Sequence, residues 1–357
     1  MINRSPFSTA DEYFMQEAID IAEAAMGRTW PNPGVGCIIT KDNRIIAHAS
    51  TADQGRPHAE TIAIENASED VEGSIMYITL EPCVHTARTP PCVDNIIKSK
   101  IKKVVIGAID PNPKVNGKGI KALEAAGITV KYGVCEKNAV ELIYGFKKRI
   151  THNKPYVTLK LAISIDGKIA LSNGKSKWIT NEQSRNLSHV LRAKNNAILV
   201  GINTILADNP TLTCRAEHFS NPYLMRVVLD THLKTPIHSK IIQTADKYPT
   251  TILKSDCTNC HHSFHKKKLK IDSVSMKENQ LDLNAVLEKL ANIGINNLLI
   301  EGGSKVFTSF LKENLVDKII IFQAKKIIGN DGIPAIGNLG IEDLNFSPKV
   351  DIEIIHE

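Results

Sequence analysis

The chain has 357 residues, enough for roughly two domains that each bury their own core. Its 42% hydrophobic and 23% charged residues are ordinary for a soluble globular protein, and no apolar stretch reaches the length of a membrane span. The net charge of +6 is mild, and with no basic cluster beyond Lys266–Lys268 it is as compatible with an anionic small substrate as with nucleic acid.

The N-terminal segment is expected to form a helix in a cytoplasmic protein. Residues 1–10 are polar and lack the apolar core of a signal peptide, and the seven cysteines suit a reducing compartment. Thr9 and Glu12 have the spacing of a capping box, and apolar residues then recur at helical spacing up to Gly27. This pattern predicts a first helix that begins at Thr9 and packs against the rest of its domain.

A loop with two prolines follows and leads into two predicted strands, 35–39 and 45–48. Asn32 lies in this loop between Pro31 and Pro33. Its side chain can offer both a donor and an acceptor to a planar heterocycle. A turn asparagine explains the residue equally well, so local chemistry leaves its role open.

Three short motifs between residues 58 and 92 have the composition of a catalytic zinc site: His58-Ala59-Glu60, Glu81-Pro82-Cys83 and Pro90-Pro91-Cys92. His58, Cys83 and Cys92 provide three ligands and leave the fourth tetrahedral position for water, while Glu60 provides the proton shuttle of a zinc deaminase. Zinc lowers the pKa of its water to about 7. The motifs therefore predict a hydrolytic deaminase, because a closed structural zinc knuckle would have no use for Glu60.

Strands and helices alternate after the first metal motif. Predicted strands at 75–80, 104–108 and 128–132 are separated and followed by predicted helices at 92–99, 118–126 and 136–148. This order predicts a three-layer α/β/α domain with a central sheet covered on both faces. The polar segment 147–155 contains a proline and breaks the apolar pattern, so we place the boundary near residue 150, with domains at 1–149 and 150–357.

The second domain alternates in the same way. Strands are predicted at 156–162, 197–201, 226–230 and 297–300, helices at 182–193 and 283–293, and a loop at 203–215. Glu301-Gly302-Gly303 lies between a buried strand and a helix, where paired glycines let backbone amides approach a phosphate. By its motif alone, a plain tight turn is the commoner interpretation.

The spacing of the two cysteines differs from the Cys-x-x-Cys of nucleic-acid deaminases. The intervening segment is Cys83-Val84-His85-Thr86-Ala87-Arg88-Thr89-Pro90-Pro91-Cys92. It resembles the same segment of the bifunctional pyrimidine deaminase/reductase family of riboflavin biosynthesis. The resemblance implies a cytidine-deaminase-like N-terminal domain in which Asn32, His85 and Arg88 bind the substrate.

The second half resembles the reductase domain of that family, which has a dihydrofolate-reductase-like α/β fold and uses NADPH. The matching motifs occur in the expected order and begin at Ser164, Ser176, Leu206 and Glu301. The resemblance implies that the phosphoribosyl substrate contacts Ser176, Arg192, Leu212, Arg215 and Glu301. It implies that NADPH contacts Ala162, Trp178, Thr204, Asp208, Gly303, Ser304, Lys305, Val306, Phe307, Thr308 and Ser309. Two arginines can bracket a phosphate through charge-assisted hydrogen bonds.

Two features fall outside this pattern. Thr51 stands where the family commonly has a substrate-facing histidine, which would remove a possible donor unless His48 replaces it. Cys257, Cys260 and His261 have a zinc-like spacing, but we expect a surface loop there that binds metal at most adventitiously.

The resemblance implies a two-step enzyme of riboflavin biosynthesis. The first step is zinc-dependent deamination of 2,5-diamino-6-ribosylamino-4(3H)-pyrimidinone 5′-phosphate, and the second is NADPH-dependent reduction of the ribosyl chain of 5-amino-6-(5-phosphoribosylamino)uracil. We expect small-molecule substrates, no nucleic-acid or membrane partner, and a homo-oligomer formed through the reductase domain.

Two alternatives are a nucleic-acid base deaminase fused to an unrelated reductase, and a non-catalytic binding protein with a structural zinc. The low aromatic content of 5% disfavours the first alternative, because single-stranded nucleic acid needs stacking platforms. Glu60 disfavours the second.

Overall fold

A computed structural model of the chain describes residues 8–85, 90–176, 181–215, 221–257 and 266–352. Within these ranges the strands of the first 150 residues form one sheet of five strands, and a sheet of seven strands follows. Each sheet has its own set of buried apolar residues. The two-domain α/β architecture expected from the sequence is confirmed. The boundary near residue 150 stays a prediction, since a helix from Tyr144 to His152 runs across it.

The first sheet is covered by helices that alternate with its strands. In chain order the elements are α1 Thr9–Ala25, β1 Gly36–Lys41, β2 Arg44–Ser50, α2 Ala59–Glu65, β3 Ile75–Leu80, α3 Cys92–Lys98, β4 Lys103–Ala108, α4 Lys118–Ala125, β5 Thr129–Tyr132, α5 Glu136–Leu142 and α6 Tyr144–His152. The strand order is β2-β1-β3-β4-β5, with β1 antiparallel to its two neighbours and β3, β4 and β5 parallel. Parallel strands covered on both faces are apolar throughout, as the buried run 104–108 of β4 illustrates.

Two local predictions for this domain are wrong. The residue that caps α1 is Ser8, whose hydroxyl accepts a hydrogen bond from the backbone of Asp11, so the helix begins at Thr9 but Thr9 does not cap it. The single helix predicted at 136–148 is two helices, α5 and α6, that meet at Ile143. Ile143 is buried in the core, and its backbone leaves helical geometry there, which a helical apolar pattern alone does not reveal.

The second sheet consists of parallel strands. In chain order the elements are β6 Tyr156–Ser164, β7 Lys168–Leu171, α7 Glu182–Lys194, β8 Ala197–Gly201, α8 Ile202–Asp208, β9 Met225–Leu229, α9 Lys240–Gln243, β10 Thr250–Ser255, β11 Leu269–Val274, β12 Met276–Lys277, β13 Gln280–Leu281, α10 Leu283–Asn292, β14 Asn297–Ile300, α11 Ser304–Lys312, β15 Lys318–Ala324 and β16 Gly332–Pro334. The strand order is β11-β10-β9-β8-β14-β6-β15.

This strand order positions the candidate reductase residues. The strands β8, β14 and β6 are neighbours, so their carboxyl ends meet at one edge, where ligands of open α/β sheets bind. Gly201 ends β8, and Glu301 directly follows β14. The loop predicted at 203–215 is wrong in its first half, because residues 202–208 form α8 at the end of β8. None of the helices in the described ranges is both long and apolar enough to span a membrane.

Arg226, on β9, is a fully buried arginine whose hydrogen-bond acceptors are all neutral. It is 0% exposed, and it donates to the hydroxyls of Thr250 and Thr244 and to the carbonyls of Thr211, Ile241 and Tyr248. Burial lowers its pKa to about 10. One side chain thereby joins β9, β10, α9 and the loop that precedes β9.

Replacing this arginine should destabilise the reductase domain. Arg226→Met leaves several buried acceptors without a donor, so we expect a loss of about 3 kcal/mol or more, or roughly 6–12 °C in thermal unfolding. Differential scanning calorimetry measures this shift. Arg44→Met is the control, since Arg44 makes an exposed ion pair with Glu69 and should shift unfolding by less than about 3 °C. Equal shifts for the two variants would contradict the structural role of Arg226.

Candidate active sites

The three predicted zinc ligands meet at the start of two helices. His58 caps α2, Cys92 is the first residue of α3, and Cys83 lies in the segment that follows β3. His58 Nδ1 is 3.2 Å from Cys92 Sγ and 3.7 Å from Cys83 Sγ, and the three donor atoms lie within 4.8 Å of one another. Within the described ranges, no other group of histidine, cysteine and carboxylate side chains comes together in this way.

The donor set suits a tetrahedral zinc ion. With Zn–S about 2.3 Å and Zn–N about 2.0–2.1 Å, tetrahedral geometry places nitrogen and sulfur ligands roughly 3.6 Å apart, close to the separations here. The hydrogen bond between the two sulfurs lowers the pKa of the Cys83 thiol, and the same bond, with burial, raises the pKa of Cys92. A thiolate ready at neutral pH is the form that binds metal.

Glu60 lies beside these donors without being one of them. It is buried in the first turn of α2, two residues after His58. Burial raises the pKa of Glu60, while the charge of His58 opposes this shift. Burial opposes a charge on His58, but the hydrogen bond with Cys83 and the charge of Glu60 raise the pKa of this histidine. A carboxyl with a raised pKa next to a metal site is suited to proton transfer.

The structure places two further predicted deaminase residues near this cluster. Asn32 Nδ2 is 2.8 Å from the Gly55 carbonyl and 3.3 Å from His58 Nε2, which puts Asn32 against the back of the imidazole. His85 follows Cys83 closely, and its Nδ1 is buried with no hydrogen-bond partner among the described residues. Arg88 lies outside the described residues. A buried orphan nitrogen is a place for a ligand atom or a water molecule.

Thr51 does not take the place of a substrate-facing histidine. Its hydroxyl accepts a hydrogen bond from the backbone of Val35, and its side chain is buried. His48, the suggested replacement, lies on β2 with an exposed side chain. Thr51 therefore fastens the loop that ends at Val35 to the end of β2.

At the edge of the second sheet, Arg192 and Glu301 form a two-point ion pair. Arg192 Nε is 2.7 Å from Glu301 Oε1 and its second guanidinium nitrogen is 2.8 Å from Oε2, with side chains 14% and 13% exposed. Burial opposes the charge on Glu301, but Arg192 lowers the pKa of this carboxyl to about 2. The guanidinium fork of Arg192 is thus directed at Glu301, whereas Arg215 is exposed. Sequence patterns gave no sign of this pairing.

Two residues that the sequence did not single out border the same ion pair. Lys160 on β6 is close enough for its charge to interact with Glu301 and Arg192, and burial lowers its pKa. His189 on α7 accepts a hydrogen bond from the backbone of Arg215. Burial, with Arg192 and Arg215, lowers the pKa of His189 to about 4, so it is neutral at pH 7. Both side chains are close enough to the ion pair for their charges to interact with it.

Several other predicted reductase residues lie on elements that begin or end at this edge of the sheet. Thr204 and Asp208 lie on α8, Ala162 on β6, and residues 304–309 on the first turns of α11. The Leu212 side chain is buried, and the Phe307 side chain packs in the domain core and does not face the cleft. Ser176 is half-buried, and Trp178 lies outside the described residues, as do Cys260 and His261.

Comparisons with known proteins agree over nearly the whole chain. A family model of the RibD C-terminal domain matches residues 155–353, and a model of the cytidine and deoxycytidylate deaminase zinc-binding region matches residues 8–108. Riboflavin biosynthesis protein RibD of Aquifex aeolicus is 41% identical, over 95% of this chain and 93% of its own. RibD of Escherichia coli is 35% identical, over 95% and 94%.

Solved structures give the same result. Acinetobacter baumannii RibD superposes with a TM-score of 0.85 at 33% identity, over 97% of this chain and 96% of that chain. The diaminohydroxyphosphoribosylaminopyrimidine deaminase/5-amino-6-(5-phosphoribosylamino)uracil reductase of Thermotoga maritima gives 0.84 at 36%, over 97% and 96%. The chain belongs to the RibD family. It is a bifunctional deaminase and reductase of riboflavin biosynthesis, as the sequence predicted.

RibD enzymes use zinc and NADPH, and the structure fits the second cofactor as well as the first. Among the described residues, no atom lies within 4 Å of a Cβ added at Gly303, and the nearest atom to a Cβ added at Gly302 is Thr204 Oγ1 at 3.5 Å. The two glycines therefore leave open space at the N-terminus of α11, where free backbone amides favour a phosphate. The weak Glu-Gly-Gly motif is thus a junction between strand and helix with room for a ligand.

Glu81 organises the deaminase site, a role that its place in the Glu81-Pro82-Cys83 motif does not reveal. Its buried carboxylate accepts hydrogen bonds from the backbones of Asp110, Gly117, Gly119 and Ile120. These bonds hold the loop between β4 and α4 next to the segment of Cys83. Burial raises the pKa of Asp110 in that loop to about 6. The signal in the sequence is an acidic residue directly after a buried strand, which local patterns do not distinguish from a cap.

Changing Glu81 to glutamine should impair deamination. In Glu81→Gln one oxygen becomes an amide group that must face two backbone N–H donors, so the loop has to move. We expect deaminase kcat/KM to fall at least about tenfold and reductase kcat/KM to stay within about twofold. Steady-state assays of both reactions measure this.

Glu72→Gln is the control, because Glu72 pairs with Lys100 at the surface. If Glu81→Gln is folded and deaminates at the wild-type rate, the hydrogen bonds to this carboxylate do not matter for the site.

Proposed function

We propose that this chain acts successively on one phosphoribosyl pyrimidine skeleton. The deaminase domain hydrolyses the 2-amino group of 2,5-diamino-6-ribosylamino-4(3H)-pyrimidinone 5′-phosphate. The reductase domain then converts the ribosyl chain of 5-amino-6-(5-phosphoribosylamino)uracil to the ribityl form. The observation that carries the first step is the cluster of His58, Cys83 and Cys92 with the buried Glu60 beside it. The name of the Thermotoga maritima relative, which specifies both reactions for that protein, supports the pair of substrates.

In the deaminase, His58, Cys83 and Cys92 hold zinc, which supplies a water nucleophile at neutral pH when it is bound. Glu60 takes a proton from the attacking water and delivers it to the leaving amino group. One C–O bond forms, one C–N bond breaks, and ammonia leaves with the transferred proton. Asn32, His85 and Arg88 orient the substrate, and Nδ1 of His85, which has no partner among the described residues, provides a hydrogen bond.

In the reductase, bound NADPH would supply a hydride to C1′ of the open-chain imine form of the sugar, and the imine nitrogen would take up a proton from water, which together add two hydrogens. Thr204, Asp208, Ala162 and the start of α11 hold the cofactor. Glu301, fixed by Arg192, faces the ribosyl chain, and Ser176 and Leu212 contact the substrate as the family resemblance implies. Arg215, which is exposed at this edge, binds the phosphate. Arg192 thereby acts mainly by orienting Glu301, since Nε and one terminal nitrogen of its guanidinium both contact that carboxylate.

Product analysis by mass spectrometry tests the order of the two steps. The zinc-loaded protein is incubated with the diaminopyrimidine ribosyl phosphate, with and without NADPH. We expect loss of ammonia without NADPH and a further gain of two hydrogens with it. Glu60→Gln should give neither product from this compound, because it lacks the proton shuttle, yet should still reduce the deaminated compound.

Reduction of the diamino compound by Glu60→Gln would contradict the proposed order. An untouched substrate with wild-type protein that holds stoichiometric zinc would contradict the assignment of the substrate.

We also propose that the chain forms a homo-oligomer through its reductase domain, works in the cytoplasm and has no nucleic-acid partner. The oligomer is supported by exposed apolar side chains in the C-terminal part of that domain. Ile321 lies exposed on the edge strand β15, and Leu344 and Phe346 are 87% and 80% exposed. An apolar edge strand is a ready template for pairing with a second copy.

A charge on this edge strand should separate the subunits. Ile321→Lys places an ammonium group in the proposed interface, so sedimentation velocity should show a smaller species than the wild type. Ile237→Lys is the control, because Ile237 is 64% exposed, compared with 54% for Ile321, and follows β9, which three strands of the sheet separate from β15. A monomeric wild type, or an unchanged assembly of Ile321→Lys, would contradict this interface.

A further inference from the structure

The loop before β1, which carries Asn32, lies against the reductase domain. The Gly27 carbonyl accepts hydrogen bonds from the side-chain amides of Asn196 and Asn221, each at 3.3 Å. The Pro31 carbonyl accepts a hydrogen bond from Asn296 Nδ2 at 3.1 Å and one from a guanidinium nitrogen of Arg149 at 2.9 Å. Residues 27–31 of the deaminase domain are thus bound at two points by side chains from outside that domain's sheet.

The groups that bind Pro31 also bind one another. Arg149 Nε donates to Asn296 Oδ1 at 2.6 Å, so the amide of Asn296 is oriented with its nitrogen toward Pro31. The backbone nitrogens of Asn296 and Asn297 donate to Asn196 Oδ1 at 3.0 and 2.9 Å. Asn296 is 3% exposed. We call Arg149, Asn196 and Asn296 the domain clamp.

Residues 27–31 pack closely against the reductase domain and have little room to move. A Cβ atom added at Gly27 would lie 2.0 Å from the Ala193 carbonyl oxygen, and one at Gly294 would lie 2.6 Å from Pro31 Cβ. The indole of Trp30 packs against the core of the reductase domain. A loop fitted this closely follows the position of the surface that holds it.

Asn32 is the residue next to Pro31, and it reaches the metal cluster. Its side chain is 3.3 Å from His58 Nε2, and its carbonyl accepts a hydrogen bond from the Thr29 hydroxyl at 3.1 Å. The clamp therefore connects the start of β14, whose other end carries Glu301, with a residue beside the zinc ligands.

We propose that Asn296, oriented by Arg149, is a positioning residue for deamination: the reductase domain holds the loop that presents Asn32 to the substrate. This inference rests on the proposed role of Asn32 in binding the deaminase substrate. It makes the reductase domain part of the deaminase site, through contacts that touch neither substrate nor metal.

Asn296→Asp in the full-length zinc-loaded protein tests the proposal. The aspartate keeps the acceptor for Arg149 but cannot donate to Pro31. We expect the KM for deamination to rise about tenfold with kcat changed less, since a misplaced substrate contact weakens binding. The kinetic constants for reduction of the deaminated compound and the zinc content should equal those of the wild type.

Asn195→Asp is the matched control. Asn195 is a buried asparagine that also donates to a carbonyl, that of Leu191, and among the described residues its side chain makes no hydrogen bond to the loop. It should leave the KM for deamination within about twofold. An unchanged KM in Asn296→Asp, or equal losses in deamination and reduction, would overturn the proposal.

A second readout does not depend on activity. Trypsin cleaves after Arg28, within the clamped loop, and release from the clamp should speed cleavage there by about tenfold in Asn296→Asp but not in Asn195→Asp. If the wild type does not deaminate the diamino compound, the proposed substrate is wrong. The rate of tryptic cleavage after Arg28 still decides in that case whether the clamp holds the loop. An unchanged rate at Arg28 would overturn the clamp itself.

Discussion

The meeting of one imidazole and two thiols is the constraint on which the deaminase domain depends. Cys83 is 25 residues and Cys92 is 34 residues from His58 along the chain, yet their sulfur atoms lie 3.7 and 3.2 Å from the same nitrogen. Two of the donors stand where helices begin, at the cap of α2 and the first residue of α3, so each is fixed by a backbone that cannot shift alone. A metal site tolerates displacements of only a few tenths of an ångström.

Two further groups of contacts maintain this geometry from outside. The carboxylate of Glu81 accepts hydrogen bonds from four backbone nitrogens, two in the loop before α4 and two in the first turn of α4, and so fixes the segment that leads into Cys83. The domain clamp fixes the opposite side, where Asn32 contacts His58. Hydrogen bonds from neutral donors to a buried carboxylate are strong because the surroundings do not screen them. The deaminase site is thus held in place by the hydrogen bonds of Glu81 and of the domain clamp.

The candidate reductase site is held by an ion pair at the edge of a parallel sheet. Parallel strands bring Gly201, Glu301 and Lys160 to neighbouring positions, and a buried ion pair with Arg192 sets the direction of Glu301. Breaking such a pair leaves an uncompensated buried charge, which makes its geometry durable. The ion pair keeps Glu301 ionised, with a pKa of about 2, so this side chain accepts hydrogen bonds at physiological pH and does not donate a proton.

The sequence predicted what local patterns and short motifs encode. Strands β3, β8 and β14 match their predicted ranges at both ends, because buried apolar runs between polar turns have few alternatives. The metal cluster was predicted as well, since ligand chemistry restricts residue types strongly. The break between α5 and α6 was missed because a buried Ile143 satisfies the helical pattern on both sides of it.

Long-range polar contacts were not predicted. The neutral partners of Arg226, the four donors to Glu81 and the pairing of Arg192 with Glu301 join segments whose separation the sequence does not encode. The roles of the reductase residues came from the family resemblance and not from spacing, and the structure adds that Phe307 lies in the core. Patterns reveal which elements form, whereas the partners of a polar side chain depend on the complete fold.

X-ray absorption at the zinc edge of the loaded protein tests the central claim most directly. The account predicts one zinc per chain with two sulfur ligands at about 2.3 Å and lighter ligands at about 2.0–2.1 Å, and loss of one sulfur in Cys92→Ser. A site with four sulfur ligands, or a spectrum that Cys92→Ser leaves unchanged, would contradict the convergence of His58, Cys83 and Cys92 on one catalytic ion.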